Sequence, residues 1–325
     1  MTDLQKYLVE EYLEDYQAGR MTRRKALKVL AGITGSLALA NGLLAACAAP
    51  TATTALPTPA PAAEPSPTAE AEAAATATTA PPPVPEGVRV PEDDPDIVAS
   101  TITFPADDAE VTGYLARPAS DGPYPAVLVC HENRGLNLHT EDIARRLAKA
   151  GYVGLAIDLL SREGGSANLS EDDIPGILGN APQERFTGDF IAGWRHLQAQ
   201  PFVRSDAVAM MGFCFGGGVT WRVATELPEL AAAVPFYGSP PPVEDIPRIQ
   251  AAVLAVYGGL DERINASIPE VEAAMAAAGK TYQKEVYDGA NHAFFNDTRD
   301  RYAPEAAEDA WAKALAWFEA HLPRA

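Results

Sequence analysis

Three observations predict an α/β fold with a mainly parallel sheet flanked by helices on both faces. Strand-type and helix-type segments alternate from residue 97 to residue 321, the central strand candidates are continuous apolar runs, and 47% of the 325 residues are hydrophobic. Continuous apolar runs suit strands buried on both faces. Alternation with helices implies right-handed crossovers between parallel neighbours.

The elements follow in order. Residues 97–104 and 111–117 read as strands with a turn at Asp107-Asp108, an antiparallel pair opening the sheet. Residues 126–130, Ala-Val-Leu-Val-Cys, form the first fully buried strand. Thr140 caps a helix over 141–150, with Ile143 and Leu147 on one face and Gly151 ending it. A second buried strand spans 152–158. Gly164, Gly165, Pro175 and Gly179 make 161–181 a loop or broken helix. A helix over 186–200, a strand over 207–211 and a helix over 217–227 come next, then strands over 252–257 and 282–287 and a closing helix over 304–321.

Composition narrows the function. Lys+Arg 25 against Asp+Glu 44 gives a net charge of −19. A polyanion of this kind repels phosphate backbones, so nucleic acid is not an expected partner. Three cysteines cannot form a disulfide scaffold.

The chain divides at 1–47, 48–87 and 88–325. Residues 1–20 are polar and helix-like. Thr22-Arg23-Arg24-Lys25 and an apolar run over 29–46 follow, ending in Leu44-Ala45-Ala46-Cys47. A basic segment, an apolar stretch and a small-residue site make an export signal. The paired arginines resemble a bacterial twin-arginine signal. Leu-Ala-Ala-Cys resembles a lipobox, which implies lipidation at Cys47 and anchoring to the outer face of the cytoplasmic membrane. An uncleaved helical anchor is the alternative, since the run is at the short edge of a spanning length. Residues 48–87 are rich in Ala, Thr and Pro and read as a disordered, semi-extended tether. Residues 88–325 form one α/β domain, expected to be monomeric.

In such sheets chemistry gathers at the carboxyl ends of the strands. The sharpest signal there is Gly212-Phe213-Cys214-Phe215-Gly216-Gly217. A strand turning abruptly into a helix strains the turn residue and demands small neighbours two positions either side. It presents a thiol at a helix N-terminus, where free N–H groups stabilise negative charge. The pattern matches the nucleophile elbow of α/β-hydrolases, with cysteine in place of serine. Asp261, directly after a strand, and His292, in the loop after the last strand, complete the order nucleophile, acid, base. His131, His139, His196 and His321 are the rival bases. The alternative for Cys214 is a buried structural cysteine at a glycine-rich turn.

Together with Glu132 after the third strand, Gly259-Leu260-Asp261 and His292-Ala293-Phe294, these residues resemble the dienelactone hydrolase (carboxymethylenebutenolidase) family over roughly 97–322. The resemblance implies an α/β-hydrolase fold and a Cys214–His292–Asp261 triad. It also implies that Glu132 pairs with the resting nucleophile, and that the N–H groups of Phe215 and Asn133 form the oxyanion hole. The activity implied is hydrolysis of a small-molecule ester or lactone through a covalent thioester, without cofactor.

The sequence departs from the family at one informative place. An arginine that clamps the substrate carboxylate stands four residues after the catalytic histidine in the family; here that residue is Asn296, and the nearest downstream arginines are Arg299 and Arg301. Arg134, Arg162, Arg185 and Phe294 are candidates for substrate contact. With so acidic a chain, this favours a neutral substrate. A metal site is not expected, since consecutive Cys130, His131 and Glu132 alternate sides on an extended chain. A broad-specificity surface carboxylesterase and a lipid-anchored binding protein on a hydrolase scaffold remain as other readings.

Overall fold

The computed structural model describes residues 1–47 and 88–322, so the expected tether lies outside the described residues. Three helices come first, α1 (Asp3–Gln17), α2 (Arg23–Thr34) and α3 (Leu37–Cys47). The sheet domain then runs β1 (Ile97–Pro105), β2 (Glu110–Pro118), β3 (Tyr124–Cys130), α4 (Leu138–Lys149), β4 (Val153–Ile157), α5 (Ile174–Asn180), α6 (Gln183–Gln198) and β5 (Val203–Phe213). It closes with α7 (Phe215–Glu226), β6 (Ala232–Phe236), β7 (Ala252–Gly258), α8 (Glu262–Asn265), α9 (Ile268–Ala277), β8 (Tyr282–Tyr287) and α10 (Pro304–His321).

The eight strands form one sheet in the order β1-β2-β4-β3-β5-β6-β7-β8. β1 and β2 are antiparallel, β2 runs antiparallel to β4, and every pair from β4 to β8 is parallel. The expected mainly parallel sheet with its antiparallel opening pair is therefore present. Val127, Leu128 and Val129 of β3 are completely buried, as an interior parallel strand requires. Cys130 pairs with Gly212, Phe213 with Phe236 and Gly258 with Tyr287, which aligns the ends of β3, β5, β7 and β8 along one rim.

Three details correct the sequence reading. The α4 cap is Asn137, whose side-chain oxygen accepts from the Thr140 N–H at 3.1 Å; Thr140 lies inside the helix. The unforeseen strand β6 contains Pro235, a residue that argues against an interior strand. α8 and α9 fill the stretch between β7 and β8.

The N-terminal helices pack onto the sheet domain. Tyr7, Leu8 and Tyr12 of α1 and Val29, Leu30 and Ile33 of α2 are buried in the same core as the sheet. The apolar run over 29–46 is split between α2 and α3, with Gly35 left-handed at φ 65° between them. No described helix is long and apolar enough to cross a membrane. α2 approaches α5 at paired glycines: a Cβ on Gly176 would lie 2.9 Å from the Gly32 carbonyl carbon. Asn180 of α5 seals the contact by donating to the Gly32 carbonyl at 3.1 Å and accepting from Gln5 of α1 at 3.0 Å.

Candidate active site

Cys214 stands between β5 and α7 at φ 57°, ψ −120°, a conformation that costs a non-glycine residue on the order of 1–3 kcal/mol. Its neighbours permit this. A Cβ on Gly212 would lie 2.2 Å from the Gly216 oxygen, and one on Gly216 would lie 2.4 Å from the His131 oxygen. Both glycines are therefore dictated by backbone contact. The strained turn is pinned by a 3.0 Å bond from the Cys214 N–H to the Phe236 carbonyl.

Asp261 caps α8, accepting from the Ile264 N–H at 3.3 Å, and its other oxygen accepts from His292 Nδ1 at 2.6 Å. This bond fixes the tautomer and leaves Nε2 as the basic nitrogen. The loop after β8 carries His292, bent by Gly289 at φ 74° and Ala293 at φ 63°. Burial opposes charge on the ring, but Asp261 and Cys214 outweigh it and hold the His292 pKa well above the usual histidine value. Asp261 is held below the usual carboxylate range: burial works against this, and the ring of His292 and the charge of Arg263 overcome it.

The hydrogen bonds of the thiol run to α1. Cys214 Sγ donates to the carboxylate of Glu11, at 3.4 and 3.5 Å from its two oxygens, and accepts from the Tyr7 hydroxyl at 3.4 Å. Asn133 Nδ2 donates to the same carboxylate at 3.0 Å. His292 Nε2 is buried without a hydrogen bond. Burial and the charge of Glu11 push the Cys214 thiol up, against the pull of His292. Glu11, Cys214 and His292 each offer a ligating atom within 4.8 Å of the others, a donor set that the expectation of no metal site overlooked.

Glu132 lines a cavity beside Cys214 and its charge also pushes the thiol up, but it does not bond the sulfur. Its carboxylate accepts from Asn296 Nδ2 at 2.8 Å, and the acid bonded to the thiol is Glu11. Asn296, the position of the family's clamp arginine, therefore holds Glu132. Phe215, the first residue of α7, lines one cavity beside Cys214, and Asn133, just beyond β3, lines the other.

Cys214 lies where two cavities of about 360 Å³ meet. One is largely apolar, lined by Leu4, Tyr7, Phe186, Phe215, Val219 and Pro240 among others. The other is polar and includes Glu11, Asp15, Glu132, Asn133, Arg134 and Arg301. Arg134 is thus at the site. Arg162 is corrected: it is bonded to the buried Asp189 at 2.8 Å and to Asp108, because a carboxylate that deep needs a cation. Arg185 pairs with Glu163 at 2.8 Å. Phe294 is fully buried against Tyr237 and Tyr287 and lines neither cavity.

The rival histidines are committed elsewhere. His131 bonds the Glu132 carbonyl at 2.6 Å and accepts from the Leu159 N–H at 3.3 Å. His139 bonds Asp297, His196 stacks on Phe104 and His321 packs on Trp317. Sequence reasoning missed Tyr7 and Glu11, which it placed in a leader. The signal available was the Thr2–Gln5 capping box opening a helix with Leu4, Leu8, Tyr12 and Tyr16 at four-residue spacing, a pattern belonging to a folded helix.

Comparison with known proteins decides the family. The dienelactone hydrolase family model matches residues 111–322. The chain belongs to the dienelactone hydrolase family. A relative from Escherichia coli, assigned provisionally as a carboxymethylenebutenolidase, is 36% identical over 250 residues, covering 71% of this chain and 90% of its own. One from Methylorubrum extorquens with the same provisional name is 33% identical over 235 residues, 68% of this chain and 81% of its own. A crystal structure assigned provisionally as a dienelactone hydrolase from Klebsiella pneumoniae superposes with a TM-score of 0.64 at 32% identity, covering 69% of this chain and 98% of that one. Its family membership and its sheet make this an α/β-hydrolase fold.

Proposed function

We propose that this member of the dienelactone hydrolase family cleaves a small-molecule ester or lactone through a covalent thioester on Cys214. The carrying observation is a buried Asp261–His292 pair, bonded at 2.6 Å, beside a cysteine held at a strained strand–helix turn. With the thiol turned to the ring, His292 Nε2 takes its proton and the sulfur attacks the carbonyl carbon. The N–H groups of Phe215 and Asn133 hold the oxyanion. His292 returns the proton to the departing alkoxide or enolate. Water, deprotonated by His292, then attacks the thioester and frees the acid, and the proton returns to the thiolate. A thiolate leaves more readily than an amine, so esters and lactones suit this centre better than amides.

We also propose that the 1–47 segment serves as an export leader, through Arg23-Arg24 and lipidation at Cys47, and that the domain acts outside the cytoplasmic membrane.

The test of the chemistry is hydrolysis of p-nitrophenyl acetate and of dienelactone by the full reduced chain and by a chain severed within 48–87, each beside Cys214→Ala. Turnover that falls by about a thousandfold or more in Cys214→Ala supports the proposal. Turnover of the acetate alone would make it a broad esterase. Absence of cysteine-dependent turnover in every form overturns the covalent mechanism.

A further inference from the structure

We infer that the N-terminal helical unit, residues 1–47, is a detachable cover for the active site, with Glu11 and Tyr7 occupying the place of the substrate. This rests on the reading of Cys214 as the nucleophile. A carbonyl about to be attacked sits roughly 3–3.5 Å from the nucleophilic atom. The Glu11 carboxylate sits there already, with both oxygens within 3.5 Å of Sγ. It also takes the Asn133 side chain, beside one of the two N–H groups assigned to the oxyanion. Tyr7 closes a second approach at 3.4 Å, and the thiol is left 1% exposed. Sγ is engaged by Glu11 and Tyr7 of α1, and His292 Nε2 is buried without a hydrogen bond.

The helix is held by complementary charge and by apolar burial. Asp15 of α1 pairs with Arg301, which also donates to the His292 carbonyl at 3.4 Å. Arg263 lies 4.5 Å over the ring of Tyr7 and 4.0 Å from Glu14. Leu8, Leu30 and Ile33 are fully buried. The described cysteines are all free, so no disulfide joins the unit to the domain, and the backbone through 48–87 is the covalent link. A leader that masks the nucleophile keeps a reactive thiol out of oxidation and premature hydrolysis until the two parts separate.

The experiment places a specific protease site within 48–87 of the full chain and follows Cys214 by peptide mass spectrometry during iodoacetamide treatment, beside turnover of p-nitrophenyl acetate. Severing and dilution should speed alkylation and turnover at least tenfold. Leu8→Asp with Leu30→Asp, both on the cover, should do the same in the uncut chain. Glu11→Gln should shift the alkylation midpoint to lower pH, since it removes a negative charge that holds the thiol protonated. Equal alkylation in intact, severed and Leu8→Asp/Leu30→Asp chains overturns the cover. Slower alkylation or turnover after severing also overturns it, by making α1 a wall the substrate needs. Faster alkylation with no cysteine-dependent turnover leaves the cover standing and removes the hydrolase reading of Cys214.

Discussion

A cysteine at φ 57°, ψ −120° is not held there by its own preferences; the surrounding backbone imposes the conformation. Gly216 is the tightest part of that constraint. An added methyl would face two backbone oxygens, of His131 at 2.4 Å and Cys130 at 2.6 Å, neither of which can rotate away. Gly216→Ala should therefore push the start of α7 off β3, lowering stability by about 1–3 kcal/mol. Turnover should fall about a hundredfold as the thiol and the oxyanion N–H groups lose their alignment. Denaturant unfolding and acetate turnover of the purified variant read the two effects. Unchanged turnover would show that this turn does not set the geometry of the centre. This constraint was legible in the sequence because it is local: Gly-x-Cys-x-Gly between a strand and a helix states its backbone need in five residues. Glu11 was not legible as the thiol's partner because it lies 203 residues away, in a stretch whose basic and apolar composition pointed to a leader.

The loop that carries His292 is tied down by α4. Asp297 accepts from His139 at 2.8 Å and from Arg146 at 2.6 Å, and also pairs with Arg89 at 3.1 Å. Burial pushes its carboxyl up, but the bond from His139 and the charge of Arg146 prevail and hold it at about 2. The folded pKa is thus below the unfolded value of roughly 3.9, so the charged form is the one the fold binds. The stabilisation is fully present above about pH 4 and is lost as pH falls from there through 2. Asp297→Asn should cost about 2 kcal/mol at pH 7 and flatten the acid dependence of unfolding between pH 4 and 2. Urea melts of both proteins across that range check it; parallel acid profiles would show that another carboxylate governs. Elements were legible where pattern and length agreed, as in β3, whose apolar run has one reading. β6 was missed because Pro235 speaks against an interior strand, and the α4 cap was misplaced because Asn137 and Thr140 are both good capping residues. Tertiary context decided each of these.

Over the whole molecule, the two proposals give residues 1–47 two ends to serve, export and masking of the thiol, and the structure lets them be separated. Arg23 and Arg24 are exposed on α2; Arg23 donates to Asn41 of α3 at 3.2 Å, while the apolar packing of α2 falls to Ala26, Val29, Leu30 and Ile33. Those apolar residues face the domain and are unavailable to a bilayer while docked. A route that tolerates folded cargo suits a leader that is already folded against its own catalytic domain. Changing Arg23→Lys together with Arg24→Lys keeps the charge and leaves the buried face untouched. The doubly substituted chain should therefore stay inside the cell, melt at an unchanged temperature and resist alkylation at Cys214. The unaltered chain should appear in the membrane fraction, labelled by fatty acid in a Cys47-dependent way and with a readily alkylated thiol. Fractionation, fatty-acid labelling and thiol mapping of both strains make the comparison. Export of the lysine variant would rule out a twin-arginine route, and membrane retention of Cys47→Ala would rule out the lipid anchor. An exported, lipid-bearing chain whose Cys214 still resists alkylation would mean that crossing the membrane does not uncover the site, and that release requires a separate event.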